Sequence, residues 1–266
     1  MKALRVFVAG LVLTLALAAG AHAGQACEAP QPPSVDAVNQ GMAMAQRTSQ
    51  ALDASGAQVV LLARAGQDLR RYGLQWSHLG FAYRSTDAQG KPAWRVVHKL
   101  NRCGTDRAGL YRQGLGDFFL DQPWRYEAAF AVPTPEVQAR LRPWLDDNSR
   151  LALMHTAAYS MLAYPWSERY QQSNQWALET LAAALDDGAT DRHRAQAWLQ
   201  LRGYQPTVLN IDAFTRLGAR ATRANIAFDD HPNSKRFSDH IETVTADSMF
   251  SWLTRSQLAG APQLVR

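Results

Sequence analysis

Apolar positions change their period along this chain, and each change marks an element. Val35, Val38, Met42, Ala45 and Leu52 recur at helical spacing behind Ser34, whose hydroxyl can cap a helix running to about Ala54. Gln58 to Arg64 (QVVLLAR) is instead a short unbroken apolar run, which predicts a buried strand, and Gly66 to Gly73 is a polar connection. Gln75 to Arg84 (QWSHLGFAYR) and Ala93 to Asn101 (AWRVVHKLN) are rich in aromatic and β-branched residues. They flank Asp87 to Pro92, which predicts a β-hairpin with a longer loop. Ala108 to Leu120 reads as a helix weakened by Gly109, Gly114 and Gly116, and Arg125 to Val132 as another strand. Thr134 caps and Pro135 opens a helix to about Leu145. Ser173 or Asn174 opens the strongest helical pattern, Gln175 to Leu185, and a further helix from Asp191 to Arg202 stops at Gly203. A strand at Ile241 to Thr245 and a helix at Asp247 to Leu253 complete the pattern. Helices and strands alternate irregularly without a repeat, so the expected class is α+β, an antiparallel sheet with packed helices.

The first 23 residues follow a different logic. Lys2 and Arg5 precede an apolar run from Val6 to Ala19, and Ala21-His22-Ala23 is a small-x-small cleavage site before Gly24, the features of a secretory signal peptide. Gly24-Gln25-Ala26 before Cys27 do not suit lipidation of that cysteine. Residues 24–266 would then be the mature chain, read as one domain because no low-complexity linker interrupts it. No later stretch is long and apolar enough for a transmembrane helix. The expected location is periplasmic or secreted.

Loss of Lys2 and Arg5 lowers the formal charge from +5 by two. The arginines are scattered singly, which reads as a solvated basic surface and excludes a nucleic-acid tract. Two cysteines in an oxidising compartment predict a Cys27–Cys103 bridge. The rival reading, a free nucleophilic cysteine, would place Cys27 in an arm rich in proline at 30, 32 and 33.

With the hairpin loop centred near Ala88, residues whose numbers sum to 176 face one another, and His78 pairs with His98. Their Cβ atoms would lie about 5 Å apart on one face, together with Trp76, Gly80, Ala82, Trp94, Val96 and Leu100. Gly80, lacking a side chain, would let a helix approach this face. The helix to place there begins near Ser173, where free N–H groups and the helix dipole favour an oxyanion. Ser173 would be nucleophile, His78 general base and His98 the orienting group, with Tyr164, Trp166 and Asn174 lining a groove.

The order of His78 in SHLGF, His98 on the next strand and a helix start at QQSNQW resembles the circularly permuted branch of the papain-like superfamily. That branch includes NlpC-type cell-wall peptidases and lecithin retinol acyltransferase-like proteins, and the resemblance spans roughly residues 57 to 186. Those proteins carry histidine, a second polar residue and then a cysteine opening a helix. Almost the whole mature chain also looks like an exported bacterial family, domain of unknown function 2145, through GQDL, YGLQWSHLGFAYR, WRVVHKLN, GLGDFFLD, YPWSERYQQSNQW and AFDDHP. The resemblance implies a permuted papain-like fold. It departs at Ser173, which stands where the permuted enzymes have cysteine, and a hydroxyl cannot form a thiolate.

Two functions therefore stand side by side. One is a groove-bearing pseudoenzyme that binds a cell-envelope peptide, glycan or lipid; the other is a hydrolase or acyltransferase acting on an amide, thioester or ester. Plainer readings make Ser173 a helix cap and the histidines core residues. Asp229-Asp230-His231 with His240 and Glu242 lacks a second ligand spacing and reads as a polar loop, so neither metal nor cofactor is expected.

Overall fold

The computed structural model describes residues 32–121 and 123–266. The segment expected to be a leader, with its expected cleavage site, and Cys27 lie outside the described residues. In chain order the elements are α1 (Val35–Ala54), β1 (Val59–Arg64), β2 (His78–Thr86), β3 (Pro92–Asn101), β4 (Ala108–Gly114), α2 (Leu115–Phe119), β5 (Ala128–Ala131), α3 (Pro135–Asp146) and α4 (Asn148–Leu153). There follow α5 (Ser173–Leu185), α6 (Arg192–Leu201), β6 (Thr207–Asn210), α7 (Ala213–Thr222), α8 (Asn233–Arg236), β7 (His240–Thr243), α9 (Ala246–Arg255) and β8 (Gln263–Val265). The class is α+β. A six-stranded antiparallel sheet runs β4-β3-β2-β1-β5-β8, and β6 pairs with β7 in a separate two-stranded sheet. No helix among the described residues is long and apolar enough to cross a membrane.

Helices cover both faces of the large sheet, which explains the unbroken apolar run of β1. Val59, Leu61 and Ala63 join a core with Leu79, Phe81, Val97, Leu141, Trp176, Leu181 and Trp252. Val60 and Leu62 point the other way, into a core with Ala82, Val96, Met44, Leu52, Phe118 and Phe119. All six β1 residues are buried, and each fully buried leucine contributes about 1.5–3 kcal/mol. The caps expected at Ser34 and Thr134 form, each accepting the amide three residues on.

Three local expectations need correction. Ala108 to Gly114 is a strand, β4, because each residue from Ala108 pairs along β3 and only Leu115–Phe119 turns helical. Two of the glycines that weakened the helical reading, Gly109 and Gly114, thus lie in the strand, and Gly116 is in the short helix that follows. Ser173 is the first residue of α5, not its cap: Gln172 takes that place, its side chain accepting from the Asn174 amide at 2.8 Å. The hairpin register is two residues away from the expected one, with consequences for the site.

Candidate functional site

β2 and β3 pair as Phe81↔Val97, Ala82↔Val96 and Tyr83↔Arg95. The turn is centred on Gln89 because Asp87 accepts the amides of Gln89 and Lys91 and Gly90 adopts φ +76°. A one-residue displacement of the loop centre shifts the pairing by two and preserves the face. His78 and His98 are therefore diagonal neighbours, not direct partners, and still meet: His78 Nε2 lies 2.9 Å from His98 Nδ1. Gly80 is opposite His98 on this face, and a Cβ there would stand 2.9 Å from His98 Cβ and from Val97 O. The expected approach of a helix at Gly80 is corrected accordingly, since the missing side chain makes room for His98.

The chain of contacts fixes the protons. His98 Nε2 lies 2.7 Å from Gln113 Oε1, an acceptor, so His98 carries its proton on Nε2 and offers Nδ1 to His78 Nε2–H. His78 Nδ1 then holds a lone pair with no protein partner among the described residues, and it is not sealed from solvent. Burial, then Arg64, pushes His98 down to about 4 despite the opposing bond to Gln113. Burial, Arg64 and His98 together hold His78 well below the ordinary imidazole range. Phe118 packs on both rings, at centroid distances of 5.9 and 5.4 Å. A cleft of about 270 Å³ opens on this face among Arg64, Leu100, Gln113, Asp117, Leu120 and Asp121.

The start of α5 reaches the same end of the sheet from the other side. The β2–β3 ladder stops at Phe81↔Val97, and the Leu79 amide that would have continued it donates to Asn174 Oδ1 at 2.9 Å. Asn174, expected to line a groove, thus joins helix to strand one residue from His78. Leu79 and Phe81 share a core with Trp176, whereas His78 packs on Phe118 across the sheet. Ser173 lies beside the buried Tyr159 phenol, which burial pushes up and the Ser173 hydroxyl partly offsets. Among the described residues no hydrogen bond joins Ser173 to either imidazole. The structure brings the two histidines together and sets the helix start against the adjacent residue, with Ser173 engaged elsewhere.

Behind this helix start lies a polar network that the sequence reading missed. Lys99 is fully buried, its Nζ donating to Thr156 O at 2.6 Å and Gln171 Oε1 at 2.7 Å. Burial, with Arg192 nearby, lowers it to about 6. Glu179 accepts from Arg192 Nε at 2.7 Å and Nη2 at 3.1 Å, and from Gln196 at 2.7 Å. Arg192 also donates to the carbonyls of Ser167, Glu168 and Tyr170, fixing the segment that carries Tyr164 and Trp166. The signal was present: Gln171, just before α5, and Gln175 and Glu179 within it recur every four residues beside the apolar positions of the helix, a polar stripe that burial must satisfy internally.

Tyr164 packs on His231 at 5.0 Å and Trp166 on Tyr204 at 6.1 Å, so both rings belong to the scaffold around α5. His231 places Nδ1 on Asp230 and Nε2 on the Glu242 carbonyl, each at 2.9 Å, clamping the loop to β7. Among the described residues no three His, Cys, Asp or Glu side chains converge as a metal site.

No curated protein and no solved structure matches the chain. The model of one family, described as uncharacterized protein conserved in bacteria (DUF2145), matches residues 51–253, from the end of α1 to α9 and including every residue of the site. The chain belongs to this family of conserved bacterial proteins.

Proposed function

We propose that this is an exported protein of permuted papain-like design whose site binds a cell-envelope peptide, glycan or lipid without turning it over. The observation that carries the reading is the division of the site: an imidazole chain, Gln113–His98–His78, leaves one lone pair on the sheet face that packs on Phe118, while the hydroxyl at the start of α5, on the other face, rests against Tyr159. The paired imidazoles supply the base and orienting group that a thiol-imidazole enzyme would use, but on the face away from the helix start. Serine lacks the acidity to use it, and a base held well below its ordinary pKa draws a hydroxyl proton weakly. What is left is a preformed acceptor at His78 Nδ1 and the open cleft on its face. Hydrolysis or acyl transfer by Ser173 and His78 is the rival reading.

Ser173→Cys separates the two readings. A thiol at this helix N-terminus should alkylate faster than an ordinary cysteine at neutral pH, while wild type should leave fluorophosphonate and acyl-thioester probes unchanged. Peptidoglycan fragments and phospholipid micelles titrated into histidine-labelled wild type should shift the His78 resonances without product. Fluorophosphonate labelling at Ser173, or turnover abolished by Ser173→Ala, would establish the enzyme instead. Unshifted His78 resonances together with ordinary thiol reactivity at position 173 would remove the site altogether.

A further inference from the structure

α7 is built inside out. Phe214, Leu217, Gly218 and Ala221 fall on one stripe of this helix, and all four are exposed, Phe214 at 88% and Leu217 at 68%. Its buried residue is an arginine, Arg216, which pairs with Asp239 at 2.5 Å. The same Asp239 accepts the Ile211 amide through its carbonyl, so the segment after α8 is tied to the start of α7, and Phe237, two residues before Asp239, is also exposed, at 70%. Phe214 and Leu217, one turn apart on the stripe opposite the buried Arg216, form an apolar face that nothing among the described residues covers.

The charges around this face say which partner. Asp212 is spent capping α7, Asp229 pairs with Arg169, Asp230 with His231 and Asp239 with Arg216. Every carboxylate from 212 to 239 is therefore engaged within the fold. Arg220 follows Arg216 by one turn along the flank of the apolar stripe and is exposed, and Arg236 lies over the Phe237 ring at 4.8 Å. Apolar rings flanked by guanidinium groups on flexible stems match a bilayer surface, where the rings enter the acyl boundary and the cations rise to the phosphates.

We propose that the exposed face of α7, with Phe237, seats the protein on an anionic phospholipid surface. The test uses the mature protein with vesicles of phosphatidylglycerol and phosphatidylethanolamine, and with phosphatidylcholine alone, in flotation. Wild type should float with the anionic vesicles and be released by salt. Phe214→Ser with Leu217→Ser should bind about tenfold more weakly; an unchanged melting temperature would confirm that the fold is intact. Arg220→Glu should remove the preference for anionic over neutral lipid. Equal flotation by the double variant, or none by wild type on any vesicle, would overturn the proposal. So would a concentration-dependent dimer that the double variant abolishes while wild type ignores vesicles, since a second copy would then own the face.

Discussion

Gly80→Ala tests the packing on which the imidazole pair depends. The added methyl would lie 2.9 Å from His98 Cβ, 2.9 Å from Val97 O and 3.1 Å from Val96 Cγ1, all inside the roughly 3.5–4.0 Å at which carbon atoms rest. Two of the three neighbours are held by the β3 backbone, so relief requires β2 and β3 to separate beside Phe81↔Val97, where their ladder already ends. Overpacking of this kind costs about 1–3 kcal/mol. The lost flexibility of the unfolded chain gives back about 0.4–1 kcal/mol. A net loss of about 1–2 kcal/mol corresponds to roughly 2–8 °C in melting temperature for a chain of this size. Urea denaturation measures the loss directly. Displacement of His98 should also weaken the 2.9 Å contact to His78, visible as a shift of the bonded imidazole proton. A midpoint and an imidazole spectrum equal to wild type would refute the argument that Gly80 exists to admit His98.

Two further outcomes are expected. His98 is held neutral, with its pKa lowered from the ordinary 6.5 to about 4, so its contribution is complete above pH 6.5, declines as the pH falls towards 4, and changes no further below that. The loss should be on the order of 3 kcal/mol; His98→Gln should flatten the urea midpoint over that window, and an unchanged slope would mean that other groups carry the acid sensitivity. Thiol titration of the mature protein in denaturant without reductant should find no reactive thiol, as a Cys27–Cys103 bridge requires, and two thiols per chain would exclude it.

The face shared by the histidines was legible because a period of two survives an error in register, and the loop centre moved by a single residue. What hid the exact pairing was Asp87, whose side chain organises the turn around Gln89. Strand β4 was hidden by its glycines, which read as a weak helix until the pairing with β3 supplies the partner that periodicity lacks. The helix start at residue 173 was legible, but not what its residues do there. Gln172 competes with Ser173 for the capping role, and Asn174 serves a strand 95 residues earlier. The Lys99 network was obscured because a lysine in a strand reads as exposed, and its neutralising surroundings come from α5, α6 and the segment between α4 and α5.

The bond between Asn174 and the Leu79 amide also orders the assembly of the site in time. The imidazole chain closes over sequence separations of 20 and 15 residues within a meander of adjacent strands, whereas the helix start joins it across 95. By the logarithmic cost of loop closure, the longer connection is about 1.4 kcal/mol dearer than the 20-residue one. In a refolding experiment the histidine face would form with the hairpin, and the amide of Leu79 would gain protection from exchange only when α5 docks. The two halves of the site thus have separate kinetic histories, and the Leu79 amide is the clock that times their meeting.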